Sequence, residues 1–139
     1  MSYENKNLLF NKMENIEKNK ITIDVSVNFI ETQILAEKIY YIFVYNITII
    51  NNGSVPAKLL SRYWLITDSE NKIQEVNGTG VIGIQPYIKP KESFSYSSSA
   101  AINTPVGTMQ GSYTMLSDDG DEFIALIPRF TLSIPRTLH

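Results

Sequence analysis

From Ile21 onward the chain alternates, and that alternation commits it to sheet. Ile21, Ile23, Val25, Val27 and Phe29 fall on one side, and Thr22, Asp24, Ser26 and Asn28 on the other. This is the period-two pattern of a strand with one buried and one wet face. The pattern returns from Lys38 to Ile50, where Tyr41, Phe43, Tyr45, Ile47 and Ile49 share one face. The opposite face (Tyr40, Ile42, Val44, Asn46, Thr48) is half apolar, which suits a central strand better than an edge. Between the two strands, Glu31 to Lys38 is expected to form a connection.

Turn chemistry punctuates the rest. Asn51 to Pro56 is a turn by composition, because Asn and Gly accept positive φ and Pro fixes its own. The next strand, Lys58 to Thr67, carries the single tryptophan. Trp64 is expected on a face with Leu60, Arg62 and Ile66, packed between two sheets, and a covered Arg62 would need a carboxylate or backbone partner. Asp68 to Asn71 turns into a short strand, Lys72 to Val76. Ser93 to Ser99 places Phe94 and Tyr96 on one face and serines on the other. A strand from Thr108 to Leu116 follows, containing Met109, Gly111, Tyr113 and Met115, and then a hairpin loop, Ser117 to Glu122. The last strand, Phe123 to Ile134, is expected to put Ile124, Leu126, Phe130, Leu132 and Ile134 on its buried side, with Pro128 marking an edge or a bulge. About seven short strands with hardly any helix predict an all-β fold, an antiparallel two-sheet β-sandwich.

The composition excludes several chemistries. A chain of 139 residues fits one domain. Twelve Lys and Arg against 14 Asp and Glu leave a net charge of -2, which gives no broad field for nucleic acid. With no cysteine and one histidine, the terminal His139, there is no thiolate or imidazole cluster for a metal and no base to activate a serine. The serines of residues 93–99 therefore read as a solvent-facing sheet surface. The carboxylates of Asp118 to Glu122 read as a solvated hairpin turn, since their spacing is not that of an EF-hand. No catalytic residue, metal site or cofactor is expected. Residues 1–20, rich in Asn, Lys and Glu, have no signal-peptide core and read as a mobile arm. The longest apolar run, Ile39 to Tyr45, is about a third of a membrane span, so the expectation is a cytoplasmic protein with no membrane insertion.

One stretch invites misreading. Gly78-Thr79-Gly80-Val81-Ile82-Gly83 spells G-x-G-x-x-G, which in a dinucleotide-binding unit must follow a strand and open a helix. Val81, Ile82 and Ile84 are β-branched, and Pro86 and Pro90 arrive before two helical turns could form. The glycines read as a bulge or a sharp crossing between strands.

The segments Tyr41 to Ile49, Leu59 to Asp68, Val76 to Pro86, Thr104 to Tyr113 and Ile127 to Leu132 together resemble the ApaG family. The likeness covers about residues 21–139 in order, with residues 1–20 as an extension. The resemblance implies a fibronectin type III-like sandwich of the immunoglobulin-like class, in agreement with the strand pattern. It also implies a link to cobalt tolerance and magnesium efflux, a genetic neighbourhood with diadenosine tetraphosphate hydrolysis, and use of related domains for protein contacts. The family supplies no agreed catalytic residue. Its glycine motif falls on Gly78, Gly80 and Gly83, and Lys91 stands where similar sequences usually carry glycine, in a turn that can close without it. Lacking a membrane segment and soft ligands, the chain cannot itself move or hold cobalt, so any effect on metal efflux would be indirect.

Two functional expectations compete. The first is a non-enzymatic binding and regulatory module whose partner is another protein, with the chain a monomer or weak homodimer. The second is a site for a phosphate-containing small molecule, pyrophosphate or a diadenosine polyphosphate, on backbone N–H groups of the glycine loop. Backbone N–H groups from Asn77 to Gly83, with Gly78, Thr79, Gly80 and Gly83 as its motif residues, would form it, helped by Lys72, Lys89 or Lys91 where they converge.

Overall fold

Alternation of β-branched and aromatic residues with polar ones sets the strands, and pairing sorts them into two sheets. The computed structural model describes residues 6, 8, 9, 12, 13 and 17–136. One sheet contains β1 (Ile21–Leu35), β2 (Lys38–Asn51) and β6 (Ser93–Ile102), in the order β1-β2-β6. The other runs β4 (Ile73–Thr79), β3 (Ala57–Asp68), β7 (Val106–Ser117), β8 (Glu122–Ser133). A two-residue β5 (Tyr87–Ile88) also pairs with β3, and every pairing is antiparallel. This is the expected two-sheet sandwich, with β2 central in its sheet and the short β5 as an additional strand.

The core lies between the sheets. Trp64 of β3 meets Tyr45 of β2 edge-on at 5.2 Å and Phe130 of β8 at 5.9 Å, contacts worth about 0.5–1.5 kcal/mol each beyond burial. The Tyr96 and Tyr113 hydroxyls hydrogen-bond to each other inside the core, joining β6 to β7. Outside, β1, β2 and β6 carry a wet face on which Asn46 bonds to Ser26 and Ser97, and Thr48 to Ser95. The serines thus face solvent as expected.

Three bulges account for the main departures from the sequence reading. Glu31 to Leu35 is strand, and the expected connection shrinks to Ala36 and Glu37. β1 continues to Leu35 past an irregularity at Phe29/Glu31 and turns on Ala36 and Glu37, both at positive φ (49° and 67°). Ala-Glu lacks the Asn-Gly signature of such a two-residue turn, so nothing local announced it. In β3 the register shifts between Leu59 and Ser61. Leu59 is therefore buried, and Leu60 leaves the face it was expected to share with Trp64.

The third inversion is in β8. Ala125 and Ile127 are buried while Ile124 (57% exposed) and Leu126 (77%) face solvent, the reverse of the expectation for that half of the strand. The register shift at Met109/Gly111, opposite Pro128 and Arg129, changes the phase, and Leu132 beyond it is buried as expected.

The mobile-arm expectation falls mostly outside the described residues, as does His139. Among the arm's last residues, the Lys18 and Lys20 carbonyls accept the Ser54 and Asn52 N–H groups, and Lys18 pairs with Asp119 at 3.5 Å.

Candidate functional site

The glycine motif is a detour in an edge strand. β4 pairs with β3 from Thr67 up to Ser61, and β5 resumes along the same side of β3 at Lys58 and Ala57. Leu60, the bulged residue between, is where the chain leaves and returns. Its carbonyl accepts both the Gly80 N–H (2.8 Å) and the Gln85 side-chain amide (3.0 Å), and the Leu59 N–H then reaches the Pro86 carbonyl (2.9 Å). In the detour, Val81 and Ile84 exchange two backbone hydrogen bonds (2.8 and 3.0 Å) around Ile82 and Gly83, a two-residue hairpin turn. Val81 is buried in the core and pins the detour from inside.

Each glycine has its own reason. Gly80 and Gly83 sit at φ 62° and 80°, where glycine carries no Cβ penalty. At Gly78, within β4, a Cβ would lie 2.6 Å from the Arg62 guanidinium carbon. Arg62 finds the backbone partner its position demanded: its Nη1 donates to the Thr79 (3.2 Å) and Gly80 (3.0 Å) carbonyls. Among the described residues it forms no ion pair.

The turn conflicts with one of its residues. A two-residue turn with both φ positive suits Asn-Gly, yet its first position is Ile82 at φ 44°. A β-branched residue there is a genuine outlier costing on the order of 1–2 kcal/mol. Ile82 is 59% exposed and Ile84 47%, so burial returns little of that cost. The tip is an apolar projection held on a rigid base.

Of the residues expected at a phosphate site, the structure brings Gly78, Thr79, Gly80 and Gly83 together, but Gly78 and Thr79 lie in β4 rather than in a loop. The N–H groups of Gly80, Val81 and Ile84 are committed to carbonyls. Lys89 and Lys91 belong to the following turn, where the Glu92 N–H reaches the Lys89 carbonyl (3.0 Å) and the Lys91 N–H the Asn51 carbonyl (2.7 Å). Both side chains are exposed. Lys91 takes φ 68°, the left-handed region that glycine adopts without a Cβ penalty.

The acidic hairpin disperses its carboxylates. Asp118 accepts the Tyr87 hydroxyl at 2.6 Å, Asp119 pairs with Lys18, and Asp121 accepts the Asn19 amide at 3.4 Å. Among the described residues no three His, Cys, Asp or Glu side chains cluster as metal ligands. Two tyrosines titrate far from their usual range. Burial pushes Tyr96 up to about 12, partly offset by its bond to Tyr113, and burial raises Tyr113 further, with Tyr96 adding to it. Both hydroxyls stay protonated, as structural groups.

A second surface was not anticipated. Outside β3, β7 and β8 lies a depression of about 330 Å³ bordered by Tyr63, Leu65, Gln110, Ser112, Leu126 and Arg129. Leu126 lines it because of the β8 inversion. Only Pro128 hinted at that in the sequence.

Comparison with known proteins places this arrangement. Residues 31–117 match the ApaG domain. The chain belongs to the ApaG family. It is 54% identical over 128 residues to Protein ApaG of Thiobacillus denitrificans, covering 88% of this chain and 98% of that protein. Against the Aromatoleum aromaticum ApaG the identity is 50% over 127 residues, 91% of this chain and 100% of that one. The crystal structure of the putative ApaA protein from Bordetella pertussis superposes with a TM-score of 0.81 at 40% identity, covering 87% of this chain and 98% of that one. The family description names no catalytic activity. Among the described residues no helix is long and apolar enough to cross a membrane.

Proposed function

We propose that this ApaG protein is a non-enzymatic binding module whose glycine hairpin inserts Ile82 and Ile84 into an apolar groove of a partner protein. The observation that carries the reading is Ile82 itself, a strained and exposed β-branched residue in a turn that asparagine would fit better. Strain of this kind persists where surrounding structure enforces it and function uses it. Val81, the Leu60 carbonyl and Arg62 supply the enforcement, and the pre-organised tip lowers the ordering cost of association. The module would act in the cytoplasm, and any influence on cobalt tolerance or magnesium efflux would pass through its partner.

The test exploits a stability–function trade-off. A photo-crosslinker at Ile84 in living cells should yield one dominant adduct. Ile82→Asn should abolish that adduct while leaving the fold at least as stable, whereas Glu70→Lys, distant from the hairpin, should leave it unchanged. An adduct that survives Ile82→Asn undiminished would overturn the reading.

A second reading, a phosphate-containing small molecule at the same hairpin, is favoured by Arg62, which lies against Gly78 without a carboxylate partner among the described residues. Titration with pyrophosphate and a diadenosine polyphosphate separates the two. Saturable amide shifts at Gly78, Thr79, Gly80 and Gly83, and at Lys89 and Lys91, would favour the small molecule, and silence there would exclude it.

A further inference from the structure

The two outer faces of the sandwich are finished differently. On the β1-β2-β6 sheet the polar side chains are tied to one another, Asn46 to Ser26 and Ser97, and Thr48 to Ser95. The other sheet instead carries the hollow of about 330 Å³. Its floor is β7, where Ser112 stands opposite Tyr63 on one side and Leu126 on the other, and Gln110 stands opposite Leu65. Paired residues share a face, so the short Ser112 lies low between two larger side chains. Tyr63 and Leu65 make one wall and Leu126 the other. A bulge sets the corner. Met109 pairs with Phe130 and Gly111 with Ile127, so Gln110 alone faces both Pro128 and Arg129. An extra residue of this kind re-aims side chains, and Arg129 borders the hollow. It is exposed, and among the described residues it forms no ion pair. Glu75, which accepts the Tyr63 hydroxyl at 3.3 Å, belongs to β4, three strand spacings or roughly 14 Å from β8. The hollow therefore has a cation at its β8 end and a carboxylate beyond its opposite wall.

We propose that this hollow binds a small apolar carboxylic acid, with its hydrocarbon part between Tyr63, Leu65 and Leu126 and its carboxylate on Arg129. The volume stands at the lower end of small-molecule sites, roughly 300–1,000 Å³. The guanidinium fork matches a carboxylate with two parallel hydrogen bonds, and the Gln110 amide and Ser112 hydroxyl add donors at the floor. Charge fixes the direction of entry, since the acid's head is drawn to Arg129 and kept from Glu75. A peptide suits the hollow less well. β7 is a central strand whose backbone groups are committed to β3 and β8, so a second main chain finds no ladder there. The inference is independent of what the glycine hairpin binds.

The test is an amide chemical-shift titration with hexanoate, hexylamine and hexanol. Hexanoate should give saturable shifts centred on Tyr63, Leu65, Gln110 to Ser112, Leu126 and Arg129, half-complete at about 1 mM. Hexylamine and hexanol should bind about tenfold more weakly, lacking the charged hydrogen bonds. Arg129→Gln should raise the hexanoate dissociation constant about tenfold and leave hexanol unchanged, whereas Leu126→Ser should weaken hexanoate about fivefold through lost apolar contact. Both positions are exposed, so both variants keep the fold. Absence of saturable shifts by about 10 mM, hexylamine binding as tightly as hexanoate, or indifference to Arg129→Gln would overturn the proposal. So would an amidated apolar hexapeptide that binds as tightly as hexanoate. A concentration-dependent dimer dissolved by Leu126→Ser would give the hollow to a second copy and overturn it as well.

Discussion

Replacing Ile82 by asparagine should make the protein more stable although it removes a large apolar side chain. At φ 44° the β-branched Cβ crowds the backbone at a cost of about 1–2 kcal/mol, while asparagine tolerates that region. Against the relief stands the minority of the Ile82 surface that is covered, since 59% is exposed; with full burial of such a side chain worth about 1.5–3 kcal/mol, the loss is at most about 1 kcal/mol. The net is a gain of about 0.5–1 kcal/mol, or a midpoint rise of roughly 2–4 °C for a domain of this size. Urea titration read by tryptophan fluorescence should show a higher midpoint at unchanged slope. The glycines provide an internal scale. Gly83→Ala meets open space but keeps φ 80°, so it should cost about 1–2 kcal/mol from conformation alone. Gly80→Ala adds a collision with the Ile84 carbonyl, which forces the hairpin open, and should cost more than Gly83→Ala. If Ile82→Asn loses more than about 0.5 kcal/mol, Ile82 is a packing residue, and the strain argument behind the binding tip fails.

Three further outcomes follow from the same geometry. Lys91→Gly should raise stability by about 0.5 kcal/mol, the αL penalty of lysine less the entropy cost of glycine, and Lys91→Ala should not, with both read by urea titration. Leu126→Ser should change monomer stability by less than about 0.5 kcal/mol, whereas its neighbour Ile127→Ala should cost about 2–5 kcal/mol; equal effects would contradict the phase of β8. Stability should fall as pH rises above 10. The unfolded tyrosines ionise near their usual value while Tyr96 holds its proton to about 12 and Tyr113 beyond it, so each contributes stability that is complete below pH 10 and is lost at about 1.4 kcal/mol per pH unit above it. Tyr96→Phe should reduce that slope in a pH series of urea midpoints.

How far the sequence could be read depended on bulges. Where a strand is regular, period two suffices: Phe43, Tyr45, Ile47 and Ile49 were legible as core from alternation alone, and all four are buried. So was the Gly78 to Gly83 stretch as a break between strands that opens no helix, because β-branched residues and two prolines forbid one. Alternation carries no record of an inserted residue, however, since a bulge is fixed by what the neighbouring strand does. Leu60 bulges because β5 ends and β4 begins opposite it, and the phase of β8 changes because β7 shifts at Met109/Gly111. In Phe123 to Ile127 every residue is apolar, so no pattern could say which side faces the core, and the choice falls to β7, whose buried Tyr113 and Met115 stand opposite Ala125 and Phe123. Yet the run was informative in another way. A strand apolar on both faces is the mark of a sheet interior, covered on both sides, and β8 stands at an edge with one apolar row in solvent. The row of Ile124 and Leu126 is therefore exposed apolar surface on the outer face of the sheet, set apart from the core-facing Ala125 and Ile127.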